Sequence, residues 1–252
     1  MNNQKMKILV LAAGKGTRML SELPKVLINF ENKPLVKYVL ESIHKSGIDT
    51  KPTIVIGYKK ELVREQLGEN YDYVVQDEQL GTGHAVMCAY EKLKDDTENL
   101  IVLPSDHPFI TSETIRKLAK KHLNSDAKIT MATIKLPSFE YWGPFFYKSF
   151  SRIIRNKNEE IVKDVQFKDA TEEEKKVTEV NPIYFCFNTT WLWENIKNLK
   201  TNNAQKEYYL TDLIKIGIDQ GIKIETIEIE PKEGLAANSK EELEILKNML
   251  EA

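Results

Sequence analysis

Residues 11–27, LAAGKGTRMLSELPKVL, crowd Gly14, Gly16, Arg18 and Lys25 behind an apolar run. Glycines where a strand gives way to a turn leave backbone N–H groups uncovered, so the backbone can surround phosphate oxygens. Arg18 and Lys25 add two positive charges beside that turn. The chemistry within reach is the handling of a polyphosphate. Two familiar phosphate loops are absent: there is no GxxxxGK[ST], and Met19 stands where a dinucleotide fingerprint needs its third glycine. Read alone, Gly-x-Gly is equally a tight turn with solvated charges.

Other residues could complete such a site. Gln76 ends a short apolar run, and its amide offers a donor and an acceptor that complement the imide edge of uracil. Turned over, the same amide suits cytosine. Asp106 follows NLIVLPS, at the carboxyl end of a strand, where open α/β sheets place their ligands. A turn cap near Pro108 is its plainer alternative. Ser239 and Glu242 read as a capping box that puts Asn238 immediately before a helix.

Positioning these groups falls to a regular alternation of elements. KILVLAA (7–13), PTIVIGY (52–58), YVV (73–75) and NLIVLPS (99–105) are short apolar runs bounded by turn residues and read as buried strands. Val36, Val39, Leu40 and Ile43 recur with helical spacing and stop before Gly47, and Val86, Ala89, Tyr90 and Leu93 repeat the pattern. The alternation predicts a Rossmann-like three-layer α/β/α fold around a mostly parallel mixed sheet. AKITMATIKL, SRIIRN, EEIVKDVQF and EVNPIYFCFN predict a β-rich, antiparallel extension over roughly 135–190. Two helical stretches, through Leu210, Leu213, Ile214 and Ile218 and through Leu243, Leu246 and Leu250, flank the strand KIETIEIE. With no repeat or linker, 1–252 reads as one domain. WLWENI (191–196) reads as a core helix and EEEKK (172–176) as a solvated turn.

Composition excludes several classes. Lys and Arg number 36 against 38 Asp and Glu, for a net charge of -2, so no global field draws nucleic acid or an anionic membrane. Cys88 and Cys186 are too few for a disulfide framework or a four-cysteine zinc site, read as packing residues, and fit a reducing, cytoplasmic setting. The opening apolar run is too short for a signal peptide or a membrane span. His44, His84, His107 and His122 have no metal-ligand spacing.

The string L-A-A-G-K-G-T-R-M followed by P-K-V-L resembles the signature of sugar-phosphate nucleotidyltransferases. QDEQLGTGHAV (76–86), KDATEEEK (168–175), NNAQKEYYLTD (202–212) and the helix start at Asn238 resemble, in the same order, the uridylyltransferase domain of bacterial bifunctional enzymes that make UDP-N-acetylglucosamine. The hexapeptide repeats of their acetyltransferase half have no counterpart in this sequence. The resemblance implies the nucleotide-diphospho-sugar transferase type of fold and a Mg2+-dependent reaction of UTP with a sugar 1-phosphate, foremost N-acetylglucosamine 1-phosphate. It implies that Arg18 and Lys25 are catalytic and that Leu11, Ala12, Ala13, Gly14, Gly16, Thr17, Gln76, Gly81 and Thr82 bind the nucleotide. It further implies Asp106 and Asn238 as ligands of the Mg2+ ion, and Ser151, Gln166 and Asn181 on the sugar.

The sugar side departs from the family pattern. Pro104-Ser105 replaces Tyr-Gly before the metal Asp, Ser151 stands for a glycine, Gln166 for a glutamate, and E-I-N-T-G becomes Glu179-Val180-Asn181-Pro182-Ile183. Another sugar, CTP or GTP in place of UTP, or a binding-only regulatory protein remain the alternatives.

Overall fold

A computed structural model of the chain describes residues 5–19 and 21–251, with the side chains of Thr17, Pro144 and residues 248–251 outside that description. In chain order its elements are β1 (Met6–Ala12), the short strands β2 (Asn29–Phe30) and β3 (Lys33–Pro34), α1 (Leu35–Ser46), β4 (Thr53–Ile56), α2 (Lys60–Leu67), β5 (Asp72–Val75), α3 (Thr82–Cys88), α4 (Tyr90–Leu93), β6 (Asn99–Pro104), α5 (Ser112–Leu123) and β7 (Ile129–Lys135). Then come α6 (Phe139–Phe146), β8 (Ser151–Arg155), β9 (Ile161–Val165), α7 (Glu172–Lys175), β10 (Glu179–Asn181), β11 (Phe185–Asn188), α8 (Thr189–Asn195), α9 (Asp212–Asp219), β12 (Ile224–Glu228) and α10 (Lys240–Glu251). Among the described residues no helix is long and apolar enough to cross a membrane.

Ten of these strands form one sheet in the order β5-β4-β1-β6-β11-β7-β10-β8-β9, with β12 pairing β7. The pairs β5·β4, β4·β1, β1·β6 and β12·β7 are parallel, and β11 lies antiparallel between β6 and β7. Beyond β7, the strands β10, β8 and β9 continue as an antiparallel extension. Parallel strands covered on both faces need apolar residues at every position, and β4 is buried along its whole length. The strands alternate between two cores. Ile8, Val10, Ile54, Ile56, Ile101 and Leu103 pack with Val39 and Ile43 of α1 and Ile115 of α5, while Leu9, Val55, Leu100 and Val102 pack with Val86 of α3, Leu192 of α8 and Leu213 of α9. This is the expected three-layer arrangement.

Four local readings need correction. The predicted helix over 86–93 is two pieces broken at Ala89, and Tyr90 is exposed, packing edge-on against Trp193. EEEKK is the short helix α7, nucleated by a capping box in which the Thr171 hydroxyl accepts from the Glu174 N–H and the Glu174 carboxylate accepts from the Thr171 N–H. EVNPIYFCFN does not lie wholly in the extension: Pro182 has no N–H to give a ladder and Ile183 turns through φ 64°, so β10 pairs with β8 there while β11 enters the main sheet between β6 and β7. At the start of α10 only half of the expected capping box forms. Ser239 Oγ accepts from the Glu242 N–H (3.1 Å), but the Glu242 carboxylate accepts from the N–H of Asn238 (2.7 Å), one residue earlier than a box requires. The side chain of Leu250, expected on this helix's apolar face, lies outside the described residues.

Arg152 joins the extension to the site. It is 0 % exposed, and its guanidinium donates to the carbonyls of Phe150 (2.6 Å), Tyr147 (2.5 Å) and Lys175 (3.3 Å). Phe139, Tyr147 and Phe167 surround it with their rings. Burial lowers its pKa to about 10, which leaves it charged at neutral pH. Arg152→Ala strands three carbonyls and opens a void, so we expect a loss of at least about 3 kcal/mol in urea unfolding; a loss below about 1 kcal/mol would contradict this role.

Candidate active site

The site begins where β1 ends. Gly16 has φ 64°, and a Cβ placed on it would lie 2.5 Å from Cβ of Lys25. Glycine therefore serves both the turn and the close passage of Lys25 across it. Lys25 opens a one-turn 3-10 helix whose Val26 and Leu27 are buried, which fixes where its stem starts. Its ammonium makes an ion pair with Asp106 Oδ2 and donates to Asn238 Oδ1 at 2.8 Å. Residues 81 and 213 positions away from Lys25 thus meet at one nitrogen.

Each partner is held from behind. Asp106 follows β6, and the neighbouring Ser105 Oγ donates to the carbonyl of Leu11 (2.7 Å), tying the end of β6 to β1. Asn238 is held through its N–H by Glu242. Burial works against ionising Asp106, but the Lys25 ammonium and its hydrogen bond win and bring the carboxyl down to about 2. His107 lies beside it, with Nε2 3.7 Å from Asp106 Oδ1. Burial lowers His107 to about 4, so the imidazole is neutral at pH 7. Tyr184 donates its hydroxyl to the carbonyl of Glu233 (2.6 Å), so its oxygen accepts from His107 Nδ1–H (2.9 Å). Among the described residues no group of three His, Cys, Asp or Glu side chains could hold a metal. The carboxylate and amide oxygens of Asp106 and Asn238 are a pair of the kind a hard divalent cation takes, with water and phosphate completing the shell.

A cleft of about 390 Å³ runs from this point in two directions. On one side lie Gln76, Gly81 and Thr82. The Gln76 amide nitrogen donates to the carbonyl of Gly81 and to His84 Nδ1, both at 3.1 Å, so its oxygen is the acceptor left for a ligand. Gly81 has φ 108°, and a Cβ there would meet the Tyr208 carbonyl at 2.6 Å. Thr82 Oγ1 accepts from the Leu210 N–H (3.0 Å), so the 207–211 loop braces this end.

On the other side lie Ser149, Phe150, Ser151, Gln166, Asn181, Pro182 and Ile183. Gln166 Nε2 donates to Thr211 Oγ1 (3.1 Å), which brings the same loop to both ends. Behind the wall, Asn181 Nδ2 donates to Asp164 Oδ2 at 2.6 Å. Burial raises the Asp164 carboxyl to about 7; Ser151 and Asn181 oppose the rise and the charge of Asp212 adds to it. Ser151 Oγ faces this carboxyl, yet neither it nor Asp164 Oδ1 has a partner of good hydrogen-bond geometry.

Of the predicted residues, Leu11, Ala13, Gly14, Gly16, Lys25, Gln76, Gly81, Thr82, Asp106, Ser151, Gln166, Asn181 and Asn238 line this one cleft. Ala12 does not, because its side chain faces the core shared with Ile8 and Val10. Arg18 is exposed outside the lining. It is still near enough to Glu242 for its charge to oppose the rise that burial gives that carboxyl. The side chain of Thr17 lies outside the described residues. Sequence reasoning missed Gln79, His107, Ser149, Phe150 and Glu207 as lining residues. His107 had a visible signal in its place beside Asp106, and Gln79 and Glu207 had one in lying within the blocks 76–86 and 202–212 that carry the resemblance.

The chain belongs to the family of the MobA-like NTP transferase domain, whose model matches residues 8–177. It is 44% identical over 225 residues to the bifunctional protein GlmU of Carboxydothermus hydrogenoformans, covering 89% of this chain and 48% of that protein. It is 47% identical over 208 residues to the bifunctional protein GlmU of Streptococcus uberis, covering 82% and 43%. The chain spans about half the length of these curated relatives. A solved CMP:2-keto-3-deoxy-manno-octonic acid synthetase in complex with CTP has the same fold, with TM-score 0.71 and 16% identity over 98% of both chains.

Two outcomes follow from this geometry. Gly16→Ala forces a Cβ onto Lys25, whereas a Cβ on Gly14 meets nothing within 4 Å. Gly16→Ala should therefore lose at least about tenfold more nucleotide affinity than Gly14→Ala in calorimetric titration, and equal losses would contradict the contact. Asp164, raised in the folded state, is best accommodated protonated, so its contribution to stability falls as pH rises from about 4 to about 7. His107 and His122, both lowered to about 4 by burial, act oppositely over the acid part of that range. Asp164→Asn keeps the acceptor for Asn181 and removes the titration, so its stability relative to the parent should climb with pH by up to about 1.4 kcal/mol per unit and level off above about 7. A difference that does not change with pH would show that Asp164 titrates normally.

Proposed function

We propose that the chain joins UTP to a sugar 1-phosphate, foremost N-acetylglucosamine 1-phosphate, in a Mg2+-dependent reaction that yields a UDP-sugar and pyrophosphate. The observation that carries this reading is the meeting of Lys25, Asp106 and Asn238 at the head of the cleft. An oxygen of the sugar phosphate attacks the α-phosphorus, and the bond from that phosphorus to the oxygen bridging toward the β-phosphate breaks. The nucleophile is already an anion near neutral pH, so no side chain has to remove a proton. The difficulty is the convergence of negative charge, and positioned cations answer it.

The uncovered backbone around Gly14 and Gly16 suits the triphosphate, and Lys25 supplies charge beside it. Arg18 stands near the start of α10, where it can meet phosphate oxygens from the solvent side. Asp106 and Asn238 fit Mg2+: their two oxygens already share one cation, the ammonium of Lys25. Bound there, the ion would offset charge on the phosphates. The Gln76 oxygen, set by His84, would accept from N3–H of uracil. The same acceptor would take the amine of cytosine, so a CTP-dependent reaction is the second reading.

Pyrophosphate release should appear with UTP, Mg2+ and at least one sugar 1-phosphate. Asp106→Asn should fold, melting within about 4 °C of the parent, and lose about 100-fold or more in turnover. Unchanged turnover would remove Asp106 from the site, and no release with any nucleotide and sugar phosphate would overturn the reading.

A further inference from the structure

We propose that Ile183 limits the size of the sugar that the cleft accepts, and that Asn181 and Asp164 hold it in place to do so. This rests on reading the Ser151, Gln166 and Asn181 end of the cleft as the sugar side. Ile183 has φ 64°. That left-handed region suits glycine, and a β-branched residue is a genuine outlier there, kept only where the surroundings over-determine it. Here they do. Asn181 Oδ1 accepts from the Ile183 N–H at 2.7 Å, closing a turn over Pro182, whose ring fixes its own φ. Asn181 is 0 % exposed and is anchored in turn on Asp164 Oδ2.

The backbone is also clamped on both sides of the turn. Asn181 pairs with Ser151 in the extension, and Phe185 pairs with Val102 and Met131 in the main sheet. Between them, Tyr184 is buried with its hydroxyl held by His107 and Glu233. The chain crosses from one sheet region to the other at Ile183 and has little freedom to relax. The result is a branched aliphatic side chain in the cleft lining, partly buried against the core of Leu9, Val55 and Val102. A glycine would make the same turn without strain and leave that space open. Ile183 therefore acts as an apolar wall against bulky substituents on a neutral hexose 1-phosphate.

The test compares Ile183→Gly and Ile183→Ala with the parent, using UTP, Mg2+ and hexose 1-phosphates graded in size at carbons 2 and 6. Both variants should raise kcat/KM for at least one bulkier member relative to the compact ones by about tenfold or more. Ile183→Gly should also melt above Ile183→Ala, the reverse of the order at an ordinary position, because only glycine relieves the φ strain. An unchanged size profile, or an alanine variant that melts at or above the glycine variant, would overturn the proposal. Absence of turnover by the parent with every sugar phosphate would instead overturn the reading of the cleft on which it rests, while the melting order would still report on the strain.

Discussion

One ammonium shared by two oxygens organises the molecule's working end. Lys25 comes from the turn after β1, Asp106 from the end of β6 and Asn238 from the start of α10, and they meet at Lys25 Nζ. Bringing a carboxylate and an ammonium partly out of water costs more than their attraction returns unless each is well paired. The Lys25 and Asp106 side chains are only 12% and 19% exposed. Much of the nearby structure can be understood as support for that encounter: Gly16 makes room for the lysine, Ser105 ties β6 to β1, and Glu242 fixes the asparagine.

The two sheet regions divide the remaining work. The parallel strands β1 and β6 present their carboxyl ends to the turn of Gly14 and Gly16 and to Asp106, where open α/β sheets place ligands. The antiparallel extension supplies the opposite wall, and the 207–211 loop touches both through Thr82 and Gln166. The extension carries the unusual chemistry of this chain: a buried arginine among aromatic rings, an acid raised by burial and a strained isoleucine. It is also where the sequence departs most from its family's pattern.

The legible parts of the sequence were those ruled by simple periodicity or by a demanding backbone. Continuous apolar runs marked β1, β4 and β6, and Gly47 marked the end of α1. The pairing of Asp106 with Asn238 was legible only through resemblance, since no local pattern links positions so far apart. Asp164 was hidden because an acid inside a strand run reads as an outward-facing residue, and its burial depends on what packs across it. Arg152 was hidden for the same reason. The helix α7 could have been read from Thr171 and Glu174, whose spacing is that of a capping box. The split between β10 and β11 had a signal in Pro182, and the positive φ of Ile183 had one in the glycine that the family pattern carries at that position.

The most direct test is a crystal structure with UTP and Mn2+, read by anomalous scattering. The account predicts one peak within about 2–2.5 Å of an oxygen of Asp106 and of Asn238, with Lys25 Nζ on a phosphate oxygen. A peak on other side chains, with Lys25 still between Asp106 and Asn238, would contradict it.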